Sequence, residues 1–379
     1  MKLLLACLLG GSAGWALTAP GAAAATVAAG YGASLLWVGL LGSAFAAPYA
    51  ALQFPAGVVV DRLGVRATAV AGLSLVVAAH LAALIAPQPG LAIAARIVSG
   101  TGFAVCFVCG AELARASGLG ARGMGIFGGV SLAFSGVAVL VVPFTAHLAD
   151  WRAPWLTTLV ITVPALLLSV LYGRTSSPRT SSRGATVLDA QLFRLAAVHA
   201  VTLGLGLVLS SWATTLLVDV WRFGPSTAAV IGSGVLGLSV VSRPLGGLLA
   251  ARFPESSRQI WVVALVACGA ATAALSWRST PAVAVLAVLT LGIFSGLPFA
   301  GVVGAGQALV PERPAAAVGL MNTAAFGLVV AATPLVGWAA DHGLASWTLL
   351  AVGVVWLLPL AALPRRRLPG PVGLARQVQ

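Results

Sequence analysis

The sequence predicts an all-α membrane protein with twelve transmembrane helices in two related six-helix bundles. Three observations support this prediction: an apolar composition, regularly spaced polar breaks and an internal repeat. Of the 379 residues, 60% are hydrophobic and only 8% are charged, and the mean hydropathy is +1.04. A soluble domain carries about 25% charged residues. A chain this poor in charge cannot keep its surface in water, so lipid must surround most of it.

The polar breaks divide the chain into helices of membrane-spanning length. A helix needs about 20 mainly apolar residues to cross a membrane. Charged residues, Pro and Gly interrupt the apolar sequence at intervals of about this length. The breaks predict twelve helices, at residues 2–24, 33–57, 67–86, 90–113, 122–147, 153–173, 190–217, 226–250, 259–277, 281–309, 315–340 and 344–363.

The first of these helices has an alternative interpretation. Lys2 is followed by apolar and then small residues, and an Ala-rich stretch lies near residues 21–25. This is the outline of a secretory signal peptide. We predict instead an uncleaved first transmembrane helix, because the twelve-helix count requires one here.

One break is longer than the others and more polar. Residues 174–189 begin Arg-Thr-Ser-Ser-Pro-Arg-Thr-Ser-Ser-Arg-Gly, a composition typical of a flexible linker. It predicts an N-terminal bundle at 1–173 and a C-terminal bundle at 190–379, the latter with a short cytoplasmic tail. A shift of 190 residues places Gln53-Phe-Pro-Ala-Gly57 over Arg243-Pro-Leu-Gly-Gly247, as expected for two related halves.

The basic residues predict the orientation of the helices. With the N-terminus in the cytoplasm, nearly all of the 21 Lys and Arg residues fall in cytoplasmic breaks. Only Arg152, Arg222 and Arg278 fall in breaks on the opposite side. Cytoplasmic loops of membrane proteins are enriched in Lys and Arg. We therefore predict a multi-pass protein of the cytoplasmic (inner) membrane with both termini in the cytoplasm.

Several classes of function do not fit the composition. The net charge of +13 is spread over many breaks, whereas nucleic-acid binding needs a basic patch on one soluble face, so no nucleic-acid partner is expected. Cys106 and Cys109 have CxxC spacing, but no second pair or nearby His completes a metal site. The sequence contains neither paired carboxylates nor a nucleophile–base pair that would indicate an enzyme, so an enzyme is not expected. The expected partners are membrane lipid and a small-molecule substrate, and the protein is expected to be monomeric.

A charged loop supplies a resemblance to a known family. The sequence Gly57-Val-Val-Val-Asp61-Arg62-Leu-Gly64-Val-Arg66 resembles the loop between helices 2 and 3 of the major facilitator superfamily of transporters, although Val65 replaces a usual basic residue. The resemblance implies that this loop gates the cytoplasmic side. The gating candidates are the loop residues and charges that follow in the chain, namely Gly57, Asp61, Arg62, Gly64, Arg66, Glu112, Arg115 and Arg122.

A second motif lies in predicted helix 4. Arg96-Ile-Val-Ser-Gly100-Thr-Gly102 resembles the helix 4 motif of the same family. A charge within a membrane helix is costly unless it faces water or a partner. Arg96 is therefore expected to face the central cavity, with Ser99 and Phe103 on the same side of the helix. There it would hold an anionic substrate or lower the pKa of a proton-carrying acid. The alternative is a structural arginine that reaches water at the outer surface.

The family architecture implies further cavity residues, because its helices 1, 4, 7 and 10 line the cavity. Predicted helix 7 carries a polar stripe, and aromatic or polar residues occur on the other two helices. These candidates are Trp15, Thr18, His199, Thr202, Ser210, Trp212, Phe294 and Phe299.

The repeat makes Gln53 and Arg243 equivalent positions. In nitrate and nitrite porters of this superfamily both positions are arginine and together hold the anion. Here Gln53 replaces the first arginine, so nitrate transport is not expected.

The leading hypothesis is a transporter that moves a small polar or anionic organic solute by alternating access, since Arg96 and Arg243 are the charges predicted inside the membrane. The alternative is an exporter of amphipathic, drug-like compounds. No cofactor is expected. The eight acidic residues all fall at predicted helix ends or in loops, so use of a proton as the coupling ion stays open.

Overall fold

The computed structural model describes residues 1–172, 189–310 and 314–363, without the side chains of Phe54, Asp61, Gly120, Ala121, Pro314 and Ala315. Every regular element in these residues is helical, which confirms the all-α prediction. The predicted tail and, apart from Asp189, the predicted linker lie outside the described residues.

The chain before the predicted linker forms six α-helices. These are α1 (Lys2–Ala22), α2 (Ala24–Tyr31), α3 (Leu35–Ala83), α4 (Pro89–Arg115), α5 (Gly120–Ala149) and α6 (Ala153–Tyr172). A 3-10 turn, Asp150–Arg152, joins α5 to α6. The short helix α2 was not predicted, and it ends at Gly32, whose positive φ of 57° is accessible to glycine.

The predicted helices 33–57 and 67–86 form one helical run, α3, with a sharp bend. The bend is at Gly64, whose φ of 80° and ψ of 160° are not helical. Glycine adopts this backbone conformation because it has no Cβ. The charged loop that the sequence predicts between two helices is therefore mostly helical, with the change of direction at one residue.

The chain after the linker forms more, shorter helices than predicted. These are α7 (Ala190–His199), α8 (Gly206–Trp221), α9 (Pro225–Gly237), α10 (Ser239–Arg252), α11 (Ser257–Leu275), α12 (Pro281–Phe294), α13 (Pro298–Leu309), α14 (Pro314–Asp341), α15 (Ala345–Val355) and α16 (Leu358–Ala362). A π-helical turn, Ala200–Leu205, joins α7 to α8. Four predicted helices are thus each divided in two, and at Pro298 and Pro359 the missing backbone N–H favours a new helix start.

Eleven segments of the described chain are long and apolar enough to cross a membrane. The longest covers 51 residues, Arg122–Tyr172, and contains both α5 and α6. A single helix of that length would extend about 75 Å, more than twice the roughly 30 Å of a bilayer core. The segment is therefore two helices of spanning length, and the chain is a multi-pass membrane protein.

Helices α3 and α5 provide most of the contact between the parts of the chain before and after the linker, and α1 adds a smaller contact with α8. Helix α3 packs against α4 and α14, and helix α5 packs against α1, α9 and α10. In the second contact, Gly136 of α5 lies so close to the backbone of Gly237 that an added Cβ would overlap it. Small residues allow such close approach of helices in membranes.

The contact between α5 and α9 gives a test of this packing. We expect Gly136→Ala to lower the melting temperature of the purified protein, because the new methyl group forces the helices apart at a cost of about 1–3 kcal/mol. Gly125 of the same helix has open space around it, so Gly125→Ala is the matched control. It should leave stability unchanged or raise it by up to about 1 kcal/mol. Equal effects of the two substitutions would contradict the close packing.

Candidate functional site

Four side chains lie close together, and each belongs to a different helix of the chain after the linker. The guanidinium carbon of Arg243 in α10 lies 3.7 Å from the ring centre of Phe299 in α13. The His199 ring lies 6.0 Å from the same Phe299 ring, and His199 Nε2 is 3.1 Å from Asn322 Oδ1. We call Arg243, Phe299, His199 and Asn322 the Arg243 cluster.

Local breaks in the helices position this cluster. His199 is the last residue of α7, directly before the π-helical turn. The turn shifts the register, since π-helices use i→i+5 hydrogen bonds. Phe299 is the second residue of α13, after the break between α12 and α13. Neither break is visible as a polar interruption in the sequence.

Helix α3 contributes two residues, Tyr49 and Gln53, to contacts beside the cluster. The Tyr49 ring lies 4.6 Å from the ring of Phe326, which is one helical turn after Asn322 in α14. The Tyr49 hydroxyl contacts the side chain of Gln53, one turn further along α3. Contacts thus continue from Gln53 through Tyr49 and Phe326 to the face of α14 that carries Asn322.

Helix α5 contacts the cluster from the other side. Arg243 Nη1 donates to the carbonyl oxygen of Gly128 at 3.4 Å, and Ser239 Oγ donates to the Gly129 carbonyl at 3.2 Å. Gly128 and Gly129 have no side chain to separate α5 from α10 at this level. The Arg243 cluster therefore lies where the two parts of the chain meet.

Several polar atoms at this position are buried and have no hydrogen-bond partner among the described residues. They are Arg243 Nε, His199 Nδ1 and Gln53 Nε2, and Ser242 Oγ next to the break before α13. Arg243 is only 8% exposed and His199 only 1%. An unpaired buried polar group costs about 1–3 kcal/mol. Arg243 Nε and Gln53 Nε2 are donors that a ligand with acceptor atoms would satisfy, whereas His199 Nδ1 is an acceptor when Nε2–H donates to Asn322 Oδ1.

Arg96 has a different environment. It is 1% exposed, and its guanidinium donates to the carbonyls of Leu41 at 3.1 Å, Ala16 at 2.6 Å and Leu17 at 3.5 Å. The ring of Phe45 covers one face, with its centre 4.5 Å from the guanidinium carbon. These contacts join α4 to α1 and α3, and they occupy all three nitrogens. Arg96 does not reach water as the structural alternative supposed, and its contact with a substrate stays a prediction.

The two arginines also lie at different depths. Arg96 is seven residues after the start of α4, and Arg243 is nine residues before the end of α10. At 1.5 Å per residue these positions are roughly 10 Å and 13 Å from opposite ends of their helices. The structure therefore does not bring the two arginines together.

The other candidates before the linker point into their own part of the protein. Trp15 Nε1 donates to Thr157 Oγ1 of α6 at 3.1 Å, and Thr18 Oγ1 donates to the Ser135 carbonyl of α5 at 3.1 Å. Ser99 bonds its own helix and approaches His80 Nδ1 at 3.3 Å. Phe103 is fully buried, with its ring 5.9 Å from Phe45.

The remaining candidates after the linker lie outside the Arg243 cluster. Thr202 bonds the carbonyls of its own helix, and Phe294 is half-buried at the end of α12. Ser210 is fully buried, and its Oγ has no partner. Trp212 lines a small cavity between α1, α3, α8 and α14. The predicted stripe from His199 to Ser210 is interrupted by the π-helical turn.

The gating candidates lie near the Gly64 bend and the ends of α4 and α5. Arg62 and Arg122 are exposed, and Gly57 lies in α3 before the bend. Arg66 Nη2 donates to the Val170 carbonyl at 2.5 Å. Glu112 and Arg115 form an ion pair within α4. The side chain of Asp61 lies outside the described residues, so its predicted role in gating is not tested.

Sequence reasoning missed Tyr49, Asn322 and Phe326. Asn322 is the only asparagine of the chain and lies within an apolar helix, which is a usable signal. Tyr49 precedes Gln53 by one helical turn, so the two share a face of α3. Phe326 has no comparable signal, because a phenylalanine in an apolar helix is ordinary.

The contacts of Arg96 predict that it stabilises the fold. We expect Arg96→Met to lower the free energy of unfolding by about 2–4 kcal/mol, since interhelical hydrogen bonds in membranes contribute roughly 0.6–1.7 kcal/mol each. Thermal unfolding in detergent measures this. Arg258 is exposed at the start of α11, so Arg258→Met should leave the melting temperature unchanged. A stable Arg96→Met protein would contradict the structural role.

Comparison with known proteins agrees with the all-helical fold and the charged loop. The model of the Major Facilitator Superfamily matches residues 4–334, which includes the Gly64 bend and the Arg243 cluster. No curated protein matches the chain at a significant level. The family match covers most of the chain, and the resemblance inferred from the sequence is confirmed. The chain belongs to the Major Facilitator Superfamily.

Proposed function

We propose that this secondary transporter moves a small polar or anionic organic solute, with an anion favoured, across the cytoplasmic membrane by alternating access. The observation that carries the proposal is the state of Arg243. It is buried between the two parts of the chain, and its Nε has no partner in the part of the chain that the structure describes. A solute with a carboxylate or similar group supplies the missing acceptor.

Charge balance favours an anion at this position. Among the residues whose side chains are described, no carboxylate lies within 4 Å of Arg243. A buried charge is stable in a membrane protein when it is paired or reaches water. Gln53 Nε2 is a further buried donor that has no partner within the described chain, and it too suits an anion rather than a cation.

The proposed movement is a rocking of two six-helix bundles, 1–173 and 190–379, about the solute. Contacts of α3 with α14 and of α5 with α9 and α10 are the surfaces that would change. Arg243 is part of the contact between α5 and α10 through its bond to the Gly128 carbonyl. Binding of a solute to Arg243 competes with this weak bond, so solute binding and contact between the bundles are linked.

The membrane orientation follows from the arginine distribution of the sequence. We propose that the Gly64 bend faces the cytoplasm, as do both termini, and that the protein acts as a monomer. The gating role of Asp61 and its neighbours comes from the family resemblance. A proton is the candidate coupling ion, with His199 as the titratable group nearest to Arg243.

A second function is supported by the rings near the cluster. Tyr49, Phe299 and Phe326 provide apolar surface next to few polar groups. Such a lining also suits amphipathic, drug-like compounds, and aromatic side chains are common in ligand pockets. Export of such compounds is therefore the alternative proposal.

A binding experiment separates the two proposals. We expect organic anions to raise the melting temperature of the purified protein, and Arg243→Gln to weaken their apparent affinity at least about tenfold, because a hydrogen bond to a charged group contributes about 1.5–3 kcal/mol. Thermal shift titrations with matched anionic, cationic and neutral solutes measure this.

The matched control is Arg258→Gln, which removes an exposed arginine at the start of α11. It should bind anions as the parent does. Stabilisation by neutral and cationic amphipathic compounds alone would reject the anion and favour the export proposal. Unchanged anion affinity in Arg243→Gln would remove Arg243 from the site.

A further inference from the structure

A carboxylate from the end of α14 caps the start of α3. Asp341 is the last residue of α14, and its Oδ1 and Oδ2 accept hydrogen bonds from the backbone N–H groups of Leu35 and Leu36, both at 2.9 Å. Leu35 is the first residue of α3. The contact joins residues more than 300 positions apart, one before the linker and one after it.

The start of a helix suits a carboxylate for two reasons. The first N–H groups have no partner within the helix. The helix dipole also places partial positive charge there. The Ser34 side chain caps only the third N–H group of the helix, because its Oγ accepts from Trp37 N at 3.3 Å. Asp341 therefore supplies acceptors to the two donors that the helix itself leaves open.

The contact continues along the two helices beneath the cap. Gly337 packs on the Leu35 carbonyl, and Gly39 packs on the backbone of Thr333 and Pro334. One turn further, Ser43 Oγ donates to the Val330 carbonyl at 2.6 Å. The cap is the charged end of a close contact between α3 and α14.

The cap lies on the face of the protein away from the charged bend. Leu35 precedes Gly64 by 29 residues, about 43 Å of helix, which exceeds the bilayer core. The family resemblance assigns a gate to the bend, and no gate is assigned to the face that carries Asp341.

We propose that Asp341 is a latch that holds the two bundles together on the face opposite to the Gly64 bend, and that its release accompanies opening of that face. This inference rests on the proposed alternating access. Asp341 is exposed, so water can replace each partner when the contact opens. The exchange is nearly balanced, which allows the latch to open and close, whereas the partly buried bond of Ser43 lies deeper in the contact.

Distances between the bundles test the latch without any solute. Spin labels at Ile85→Cys and Trp347→Cys report on the Asp341 face, since both residues are highly exposed beside helix ends there. Labels at Leu119→Cys and Phe253→Cys report on the opposite face. The background carries Cys7→Ser, because Cys106, Cys109 and Cys268 are buried.

We expect Asp341→Asn and Asp341→Ala to increase the population with a long Ile85–Trp347 distance about threefold, as loss of a charge at a helix start predicts. The Leu119–Phe253 distance should shorten in the same samples. Asp341→Glu keeps the charge and should resemble the parent. Asp150→Asn removes another exposed carboxylate before the linker and should change neither distance.

Unchanged distances in both Asp341→Asn and Asp341→Ala would overturn the latch, as would an equal change in Asp341→Glu. A failure of the alternating access proposal gives a different result. In that case neither label pair changes with any solute or variant, including the parent protein with the anions that bind it.

Discussion

The lack of water inside a bilayer is the constraint on which this structure depends. A polar group there must find its partner within the chain, because the surrounding lipid offers none. Helices satisfy the backbone, and serine and threonine hydroxyls return to carbonyls of their own helix, as Ser12, Ser131 and Thr272 do. Arg96 meets the same demand with three carbonyls and an aromatic ring. By contrast, Arg243 Nε and His199 Nδ1 have no hydrogen-bond partner among the described residues.

The parts of the chain before and after the linker use their polar residues differently. Before the linker, Trp15, Thr18 and Arg96 form hydrogen bonds between neighbouring helices. After the linker, His199 and Arg243 approach the same Phe299 ring, and Arg243 Nε has no partner within the described residues. The candidate site is therefore asymmetric, although the sequence repeat relates the halves. We propose that the first set of contacts serves mainly stability and that the second serves solute recognition.

The sequence predicted the helical class and the approximate helix limits, because hydropathy and helix breakers act over long stretches. It also located the bend, since a charged loop in an apolar chain is distinctive. It did not distinguish Arg96 from Arg243. Position along a helix follows from residue number, but the partner of a side chain depends on how the helix is rotated and what packs on it. The π-helical turn after His199 and the break before Pro298 were missed for a similar reason, as local hydropathy does not change at either place.

The break between α12 and α13 has a consequence for how this protein can diversify. Gly296 lies against Ser242, and Gly246 lies against the Leu297 carbonyl, so each glycine sets how closely α10 approaches the break. Phe299 follows directly, and its ring covers Arg243. A larger residue at either glycine would displace the Phe299 ring without itself contacting a solute. If solutes bind at Arg243 as proposed, Gly246 and Gly296 are positions outside the Arg243 cluster at which a substitution would alter selectivity.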